Sequence, residues 1–476
     1  MKTMKMWFQP SRAGGLLIPA LALAIAAIFT GAARGGNRPG TSFEQRRNLS
    51  AVQTIYRRGV PQLTKHGQVL MKYDPKRSFL PVGMWGVPLP DKAYYGHRYD
   101  WSVLKRAGFN TVWVWYVPTI PAVKAAARFG LQVILDGPKS PKVLRLIRNS
   151  PNLLGDVWMD EPIGQLGAPG VDMARIFRAF MDYKKMAQSI DPNLVVFVND
   201  GADVVPQATK DWWIKWNNAG DICSDDVYPN QAPSLGEEPN GIPQMVSLEV
   251  RSSHERKPAW LIVGALEQVH PRGNGFALRF ATPTQLRAEV YAGIISGATG
   301  ITYFIWDSFI SRDVSLVGMS PDPQVDMGGT KPTPATPMQL VQSRALWGAA
   351  TVINRELARL APVILSPTVG PEVDYKVAIS GRSRTVAPIR CMLKPDPRGG
   401  YVLLTVNIDD AVLRVNYTFP KPLREVATMF DHWPPRKFHP PVETFSVRYE
   451  PFETHVFRVI PAATSPPGGR ATPNKR

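Results

Sequence analysis

The feature that most constrains the fold is an alternation of eight short apolar runs with amphipathic helical patterns along residues 79–306. Strands buried on both faces have continuous apolar sequences, and strands that alternate with helices form parallel βαβ units. Eight such units predict a closed (β/α)8 barrel, the TIM barrel of the α/β class. The predicted strands are residues 79–87, 109–116, 131–136, 153–161, 194–199, 221–228, 259–267 and 300–306.

An open, doubly wound sheet is the alternative arrangement of the same units. Its dinucleotide-binding form has a glycine-rich phosphate loop between the first strand and the first helix. The sequence after residues 79–87 has no such loop, and this favours the barrel.

The chain changes character after a Pro- and Gly-rich segment at 308–340 and a helical pattern at 340–360. The short strand patterns that follow predict a smaller antiparallel β-sandwich domain. We expect a signal peptide, a linker with an N-terminal strand extension, the barrel, the β-sandwich and a disordered tail. Their predicted boundaries are 1–33, 34–78, 79–362, 363–460 and 461–476.

The first residues are typical of an export signal. Three basic residues precede the apolar run 16–29, and small residues at 31–33 provide a cleavage site. The apolar run is close to the shortest that can cross a bilayer, so an uncleaved anchor is the alternative. We expect an exported protein, periplasmic or extracellular, that contacts a membrane only through this segment if it is retained.

The net charge of +18 is concentrated at the two ends of the chain. Residues 1–78 contain 13 Lys or Arg against two acids, and the tail from residue 461 adds three more basic residues. Little net positive charge is left for the barrel, so we expect no nucleic-acid partner.

The sequence has no pattern that is typical of a metal or cofactor site. Its two cysteines, Cys223 and Cys391, form neither a disulfide framework nor a cysteine-based zinc site. Its seven histidines include no HxH or HExxH motif. We therefore expect no metal and no cofactor.

Polar and aromatic residues follow the predicted strands. In a TIM barrel the carboxyl ends of all strands meet at one rim, where active sites lie. A single acid there can instead cap the next helix, and we favour this for Asp136 and Asp200. The convergence of many such residues indicates a site. They are Trp115, Tyr116, Asp136, Asp160, Glu161, Asn199, Asp200, Asp225, Asp226, Tyr228, Glu267, Gln268, Trp306 and Asp307.

The segment NLLGDVWMDEP is a buried strand pattern that ends in two adjacent carboxylates. Strict alternation places Val157, Met159 and Glu161 on one face and Asp160 on the other. Pro162 then ends the strand. Apolar surroundings would raise the pKa of Glu161, as a general acid that works near neutral pH requires.

The second carboxylate has two candidates. Glu267 ends the seventh apolar run and would lie across the barrel mouth from Glu161. Facing carboxylates cleave glycosidic bonds, either about 5 Å apart with a covalent nucleophile or about 6.5–9.5 Å apart with an attacking water. If Glu267 is only a capping or salt-bridged surface acid, Asp226 is the next candidate.

Aromatic residues near the strand ends suit sugars, since flat rings pack against the C–H face of a pyranose. We expect Trp85, Trp115, Tyr228 and Trp306 to contact substrate, with Trp306 beneath the sugar. For Trp113 and Trp158, core packing is the favoured interpretation. All of these residues lie in or beside predicted strands.

The motifs DVWMDEP, DICSDDVYP and YFIWDS, together with Glu267, resemble the clan A glycoside hydrolases. The similarity covers about residues 79–310 and is greatest to exported bacterial members with a β-rich C-terminal domain. The resemblance implies that Glu161 is the acid/base and Glu267 the nucleophile of a retaining mechanism. It also implies that Tyr228 contacts the nucleophile and that Trp306 forms the floor of the sugar site.

Asp160 departs from this pattern, because the residue before the acid/base is commonly Asn. A carboxylate can accept a hydrogen bond from a sugar 2-hydroxyl but cannot donate one.

Taken together, these features predict an exported glycosidase that acts on a neutral oligo- or polysaccharide. The alternative is a non-catalytic carbohydrate-binding barrel in which Glu267 lies out of reach of Glu161.

Overall fold

The computed structural model describes most of the barrel and of the C-terminal domain. The predicted signal peptide and the candidate residues Trp115, Tyr116 and Asp307 lie outside the described residues, as do residues 34–54 of the predicted linker and most of the predicted tail. The described ranges are 55–90, 93–94, 97–114, 117–166, 171–201, 207–229, 234–235, 241–269, 277–306, 309–310, 315–322, 335–369, 376–380, 383, 387–430, 437–438 and 442–462.

Eight parallel strands close into a barrel in which each strand pairs with the next along the chain and the last pairs with the first. The predicted TIM barrel is therefore confirmed, and the open sheet is excluded. The strands are β1 Val82–Val87, β2 Thr111–Val114, β3 Gln132–Asp136, β4 Leu153–Asp160, β5 Val195–Gly201, β6 Cys223–Val227, β7 Ala259–Gly264 and β8 Gly300–Phe304.

One main helix follows each barrel strand. Gly130 and Gly297 end two of these helices in the left-handed conformation, which glycine adopts without steric cost. The helices are α1 Trp101–Arg106, α2 Thr119–Phe129, α3 Pro141–Ile147, α4 Met173–Ile190, α5 Gln207–Ala219, α6 Ile242–Ser252, α7 Pro283–Ser296 and α8 Pro337–Ile364. None of the helices in the described part of the chain combines the length and apolarity needed to cross a membrane.

Inward-facing side chains fill the barrel, and most of them are apolar. Trp85 and Trp113 stack there with ring centroids 3.9 Å apart. Leu63 and Phe79 belong to the same cluster. They come from a small antiparallel sheet that precedes β1, so they close the amino-terminal end of the barrel. Its strands are Gln62–Thr64, Val69–Leu70 and Ser78–Phe79.

A register shift in β4 changes which side chains face inward. Val157 lies beside Phe197 of β5, but the next paired residues are Asp160 and Asn199, so three steps along β4 match two along β5. A bulge of this kind reverses the alternation of side chains. Asp160 therefore shares the inward face with Val157, and Met159 packs against the outer core. The strict alternation predicted from sequence is wrong beyond Val157.

The seventh predicted strand is divided in two. β7 ends at Gly264, and Leu266 begins a separate antiparallel sheet of four strands. Its strands come from the segments after β7 and β8, so it lies on the carboxyl side of the barrel. They are Leu266–Val269, Ala277–Leu278, Phe309–Ile310 and Ser315–Gly318.

The C-terminal domain is antiparallel, as predicted, and has its own apolar core. Its strands are β9 Lys376–Ser380, β10 Ile389–Pro395, β11 Tyr401–Asn407, β12 Leu413–Thr428, β13 Lys437–Phe438, β14 Val442–Tyr449 and β15 Thr454–Pro461. The two halves of β12 pair with different strands, β14 before and β15 after a register shift between Thr418 and Leu423. Pro420 and Pro422 lie at this shift, where they lack the N–H groups that a regular ladder requires.

Lys394 of β10 has a buried side chain between the C-terminal sheet and the end of α8. Its side chain is 1% exposed, and Nζ donates to the carbonyl of Ser366 at 2.6 Å. Burial lowers the pKa of Lys394 to about 7. The folded protein therefore favours the neutral amine, whereas the unfolded chain holds the proton up to a pH of about 10.4.

We expect Lys394→Met to stabilise the protein below pH 7 and to flatten the rise of stability with pH between about 7 and 10. The penalty of burying the charge is fully present below pH 7 and is lost as the pH rises. The gain at pH 6 should be about 1–2 kcal/mol, because Ser366 loses its donor. Urea unfolding at pH 6 and pH 9 measures both effects. An unchanged pH dependence in the variant would contradict the assignment.

Candidate active site

The carboxyl ends of β4, β5 and β6 bring together Asp160, Glu161, Asn199 and Asp226. The Asn199 amide donates to Asp160 Oδ1 at 3.0 Å, and its proximity to Asp226 lowers the pKa of that carboxyl. Asp226 is 7% exposed, whereas Asp160 and Glu161 are half-buried. The structure thus groups three of the predicted site residues around an amide that was noted only as part of the rim.

Glu161 has an uncommon backbone conformation, with φ at +46°. A non-glycine residue in the left-handed region costs of order 1 kcal/mol, and such residues cluster at functional sites. The Glu161 N–H donates to the carbonyl of Asn199 at 2.7 Å, which holds the turn in place. The carboxyl groups of Glu161 and Asp226 lie together beside Gly201, since a Cβ at that position would be in van der Waals contact with both, 3.5 Å from Glu161 Oε1 and 3.7 Å from Asp226 Oδ1.

The side chains of Glu161 and Asp226 share a hydrogen bond. Burial raises the pKa of Glu161 well above its usual value, and the negative charges of Asp226 and Asp160 raise it further. Burial also raises the pKa of Asp226, but hydrogen bonds from Tyr228, Glu161 and Asn199 oppose that rise. The pKa of Glu161 is therefore raised more strongly than that of Asp226, which favours Glu161 as the carboxyl that holds a proton.

The other rim acids lie at the edge of this group. Asp200 accepts a hydrogen bond from the N–H of Ile163 in the short helix Pro162–Leu166. This helix follows β4, so the role favoured from sequence, capping of the helix after β5, stays a prediction. Burial raises the pKa of Asp136 to about 6, and the negative charge of Asp136 raises the pKa of Asp160. Asp225 projects outward from β6, towards Glu249 of α6. None of these three bonds Glu161 directly in the described structure.

Behind β4, a polar network supports the rim and was not predicted. Asp156 accepts hydrogen bonds from Tyr183 of α4 and from Lys139, 3.2 Å away. Lys139 Nζ also donates to the carbonyls of Asp136 and Gly137, so it ties the loop after β3 to β4. The sequence did contain an indication of this network, because Asp156 lies inside an apolar run and a buried carboxylate needs polar partners.

Glu267 lies just after β7, but on the strand Leu266–Val269. Leu266 and Gln268 are buried on one face of that strand, and Glu267 projects from the other face. Its carboxylate accepts a hydrogen bond from Gln339 in the first turn of α8. The charges that act on Glu161 come from Asp226, Asp160 and Asp200. The role of Glu267 as the second carboxylate stays a prediction.

Two of the tryptophans predicted to bind sugar are enclosed by the protein. Trp85 is 1% exposed and stacked on Trp113, and Trp306 is 5% exposed. The indole N–H of Trp306 donates to Ser320 Oγ at 3.2 Å, and its ring packs in the outer core near Trp347. Rings enclosed in this way offer little free face to a sugar, and substrate contact stays a prediction for both.

The remaining aromatic predictions have mixed outcomes. Tyr228 is half-buried at the rim, where it stacks on Phe304 and lowers the pKa of the nearby Asp226. Core packing is confirmed for Trp113 and for Trp158, which packs against Phe180 and Trp216. Phe304 of β8 therefore provides an aromatic surface on the inward side of the barrel. The sequence predicted this role for Trp306.

We expect Trp306→Ala to lower the free energy of unfolding by about 3–5 kcal/mol, because it empties a large buried volume. Trp306→Phe retains most of the packing and should leave KM for any substrate unchanged. Chemical unfolding and steady-state kinetics of both variants test this assignment. A tenfold rise of KM in the Phe variant at unchanged stability would support the sugar-binding role.

Comparison with known proteins yields structural likeness only. No family model and no curated protein matches the sequence. A GH42 β-galactosidase from G. stearothermophilus aligns at TM-score 0.47 and 9% identity, over 85% of this chain and 100% of the other. A family 5 glycoside hydrolase from Bacteroides vulgatus aligns at 0.46 and 12%, over 86% and 95%. A family 39 glycoside hydrolase from Bacteroides cellulosilyticus aligns at 0.43 and 11%, over 84% and 83%.

All three proteins are glycoside hydrolases, the class that the sequence motifs resemble. Likeness at this identity concerns the fold and transfers no activity. The chain is thus a TIM-barrel protein with a group of acidic residues at the carboxyl ends of β4 to β6. Among the described residues, no group of His, Cys, Asp and Glu has the arrangement of a metal site.

Proposed function

We propose that this protein is an exported glycoside hydrolase that cleaves O-glycosidic bonds in a neutral glycan, with Glu161 as the general acid. The observation that carries the proposal is the hydrogen-bonded pair of Glu161 and Asp226 at the rim of the closed barrel. A proton donor of this kind needs a raised pKa at neutral pH, and burial together with a charged neighbour supplies it.

In the proposed reaction, Glu161 donates its proton to the glycosidic oxygen as the bond to the anomeric carbon breaks. The transition state has oxocarbenium character and is positively charged. The negative charge of Asp226 stabilises that charge, and the nearby Tyr228 favours the ionised form of Asp226. Asp160, beside Glu161, is placed to accept a hydrogen bond from a sugar hydroxyl.

Glu267 is the nucleophile in this proposal, as the motif order implies. Glu267 must exchange its bond from Gln339 for a position beside the sugar. This position of Glu267 also favours the second candidate function, a barrel that binds carbohydrate without cleaving it.

A neutral substrate is supported by the charges at the ends of β4, β5 and β6. The charged residues there are Asp160, Glu161, Asp200, Asp225 and Asp226, all of them acids. A carboxylated sugar would be repelled by such a group. Export is proposed from the predicted signal at residues 1–33.

A hydrolysis screen of the mature protein on neutral, amine-bearing and carboxylated polysaccharides tests the proposal, with the anomer of the first product followed by NMR. We expect turnover of a neutral glycan with retention of configuration. Binding of oligosaccharides without turnover on any substrate would favour the non-catalytic barrel. An inverted product would exclude Glu267 as a covalent nucleophile.

A further inference from the structure

Asn199 lies on the inward face of β5, and no atom of it is exposed to solvent. The geometry points to Asn199 as the positioning residue that holds Asp160, Glu161 and Asp226 in place together. This inference rests on the proposed function in so far as those three residues carry the chemistry. It does not depend on which sugar is cleaved.

The side-chain amide of Asn199 lies between two carboxylates. Its Nδ2 donates to Asp160 Oδ1 at 3.0 Å, and its side chain lies close enough to Asp226 to lower the pKa of that carboxyl. A primary amide has two N–H donors and one carbonyl acceptor. The NH2 group can therefore face two carboxylates while the carbonyl oxygen accepts from a third group. Asp160 and Asp226 come from strands on opposite sides of β5, so one amide spans the width of the acidic group.

The carbonyl oxygen of the Asn199 side chain fixes the orientation of the amide. Ser224 Oγ donates to Asn199 Oδ1 at 2.8 Å, and Ser224 is fully buried on β6, two residues before Asp226. A hydroxyl donor at the carbonyl oxygen leaves the NH2 group directed at the carboxylates. The side chain therefore has one rotamer and one orientation that satisfy all of its neighbours.

The main chain of Asn199 positions the third residue. Its carbonyl accepts the N–H of Glu161 at 2.7 Å, and it pairs with Asp160 at the register shift of β4. The left-handed conformation of Glu161 follows directly after this shift. Asn199 thus contacts the residue whose backbone is strained, as well as the two carboxylates that surround its side chain.

Few residues could replace Asn199. Leu would fill the same volume but would remove the hydrogen bond that Asp160 accepts, and Asp would add a further negative charge. Gln carries the same amide on a longer side chain, which the enclosed position cannot hold without displacing a neighbour. The combination of fixed length, two donors and one acceptor specifies Asn at this position.

The hydrogen bonds from Asn199 also affect where the proton resides. They lower the pKa of Asp160 and of Asp226, against the larger effect of burial. An ionised Asp226 in turn keeps the proton on Glu161. The other ionisable groups that act on this set are Asp136 of β3, Asp200 of β5, Asp225 of β6 and Tyr228.

Asn199→Ala is the decisive variant, measured by kcat against pH and by NMR titration of 13C-labelled Asp and Glu carboxyls. We expect kcat to fall about 10²-fold, the loss typical of misplaced catalytic groups. We also expect the Glu161 carboxyl to titrate at lower pH than in the wild type and the Asp226 carboxyl at higher pH. Activity requires ionised Asp226 and protonated Glu161. The acidic limb of the pH profile of kcat should therefore move to higher pH and the alkaline limb to lower pH.

Asn354→Ala is the matched control, because Asn354 is an equally buried amide that bonds Tyr303 and Ala107 away from the rim. Should Asn199→Ala fail to fold, Ser224→Ala removes only the bond that orients the amide and should move both titrations in the same directions. Unchanged titrations in the variant that folds, with a loss of kcat no greater than in Asn354→Ala, would overturn the inference. A wild type that cleaves no glycoside would refute the proposed function, while the titrations would still test the role of Asn199.

Discussion

Replacing Glu161 with Gln should lower kcat by about 10²–10⁴-fold while the protein stays folded. The amide keeps the size of the side chain but cannot donate a proton to a leaving oxygen, and general acid catalysis typically contributes a factor of this size. The loss should be smallest for substrates with good leaving groups, such as aryl glycosides with acidic phenols, because these need little protonation. Steady-state rates on an alkyl and an aryl glycoside of the same sugar measure the difference.

Glu255→Gln is a matched control for this variant. Glu255 also has a positive φ, at 58°, and its carboxylate accepts a hydrogen bond from the N–H of Tyr56, away from the rim. We expect this variant to keep wild-type kcat. Near-full activity of Glu161→Gln on every glycoside that the wild type cleaves would show that Glu161 is not the general acid.

Replacing Asp226 with Asn should lower kcat at neutral pH by about 10²-fold and displace the alkaline limb of the pH profile to lower pH. The negative charge of Asp226 raises the pKa of Glu161. Without that charge, Glu161 loses its proton at a lower pH, and less of the enzyme holds the acid form near pH 7. The activity lost through this effect should be partly recovered as the pH falls, which a profile of kcat from pH 4 to 9 will show.

Glu267→Gln distinguishes the two candidates for the second carboxylate. A variant that lacks the nucleophile of a retaining enzyme should be inactive across the whole pH range, since lowering the pH cannot replace a covalent step. Azide added to Glu267→Gly should then restore turnover and give a glycosyl azide of inverted configuration. If Glu267→Gln keeps wild-type kcat while Asp226→Asn does not recover at low pH, the second carboxylate is Asp226.

The barrel could be predicted because the alternation of apolar runs and helical patterns that indicates it extends over many residues. Each strand is a short run of mainly apolar residues between turns, and each of α1 to α8 follows at the expected place. The rim was predictable for the same reason, since closure of a parallel sheet brings all carboxyl ends to one side. Asp160, Glu161 and Asp226 therefore met as expected without any contact being read from sequence.

The placement of some single residues could not be predicted, because it depends on local departures from regular structure. A bulge in β4 turned Asp160 inward, and a break after Gly264 moved Glu267 onto a separate sheet. Trp306 follows β8 at the point where the chain leaves the barrel, and it packs outward near Trp347. Each of these depends on neighbours that are distant along the chain, such as Asn199 for Asp160 and Gln339 for Glu267.

The order of apolar runs, turns and acids by itself determined that eight strands close and that carboxylates gather at one end. Only the tertiary structure decided which carboxylates share a proton. A hydrogen bond requires two atoms within about 3 Å, and a single bulge moves a side chain to the opposite face of a strand. The pairing of Glu161 with Asp226, and the amide of Asn199 between their strands, follow from that displacement.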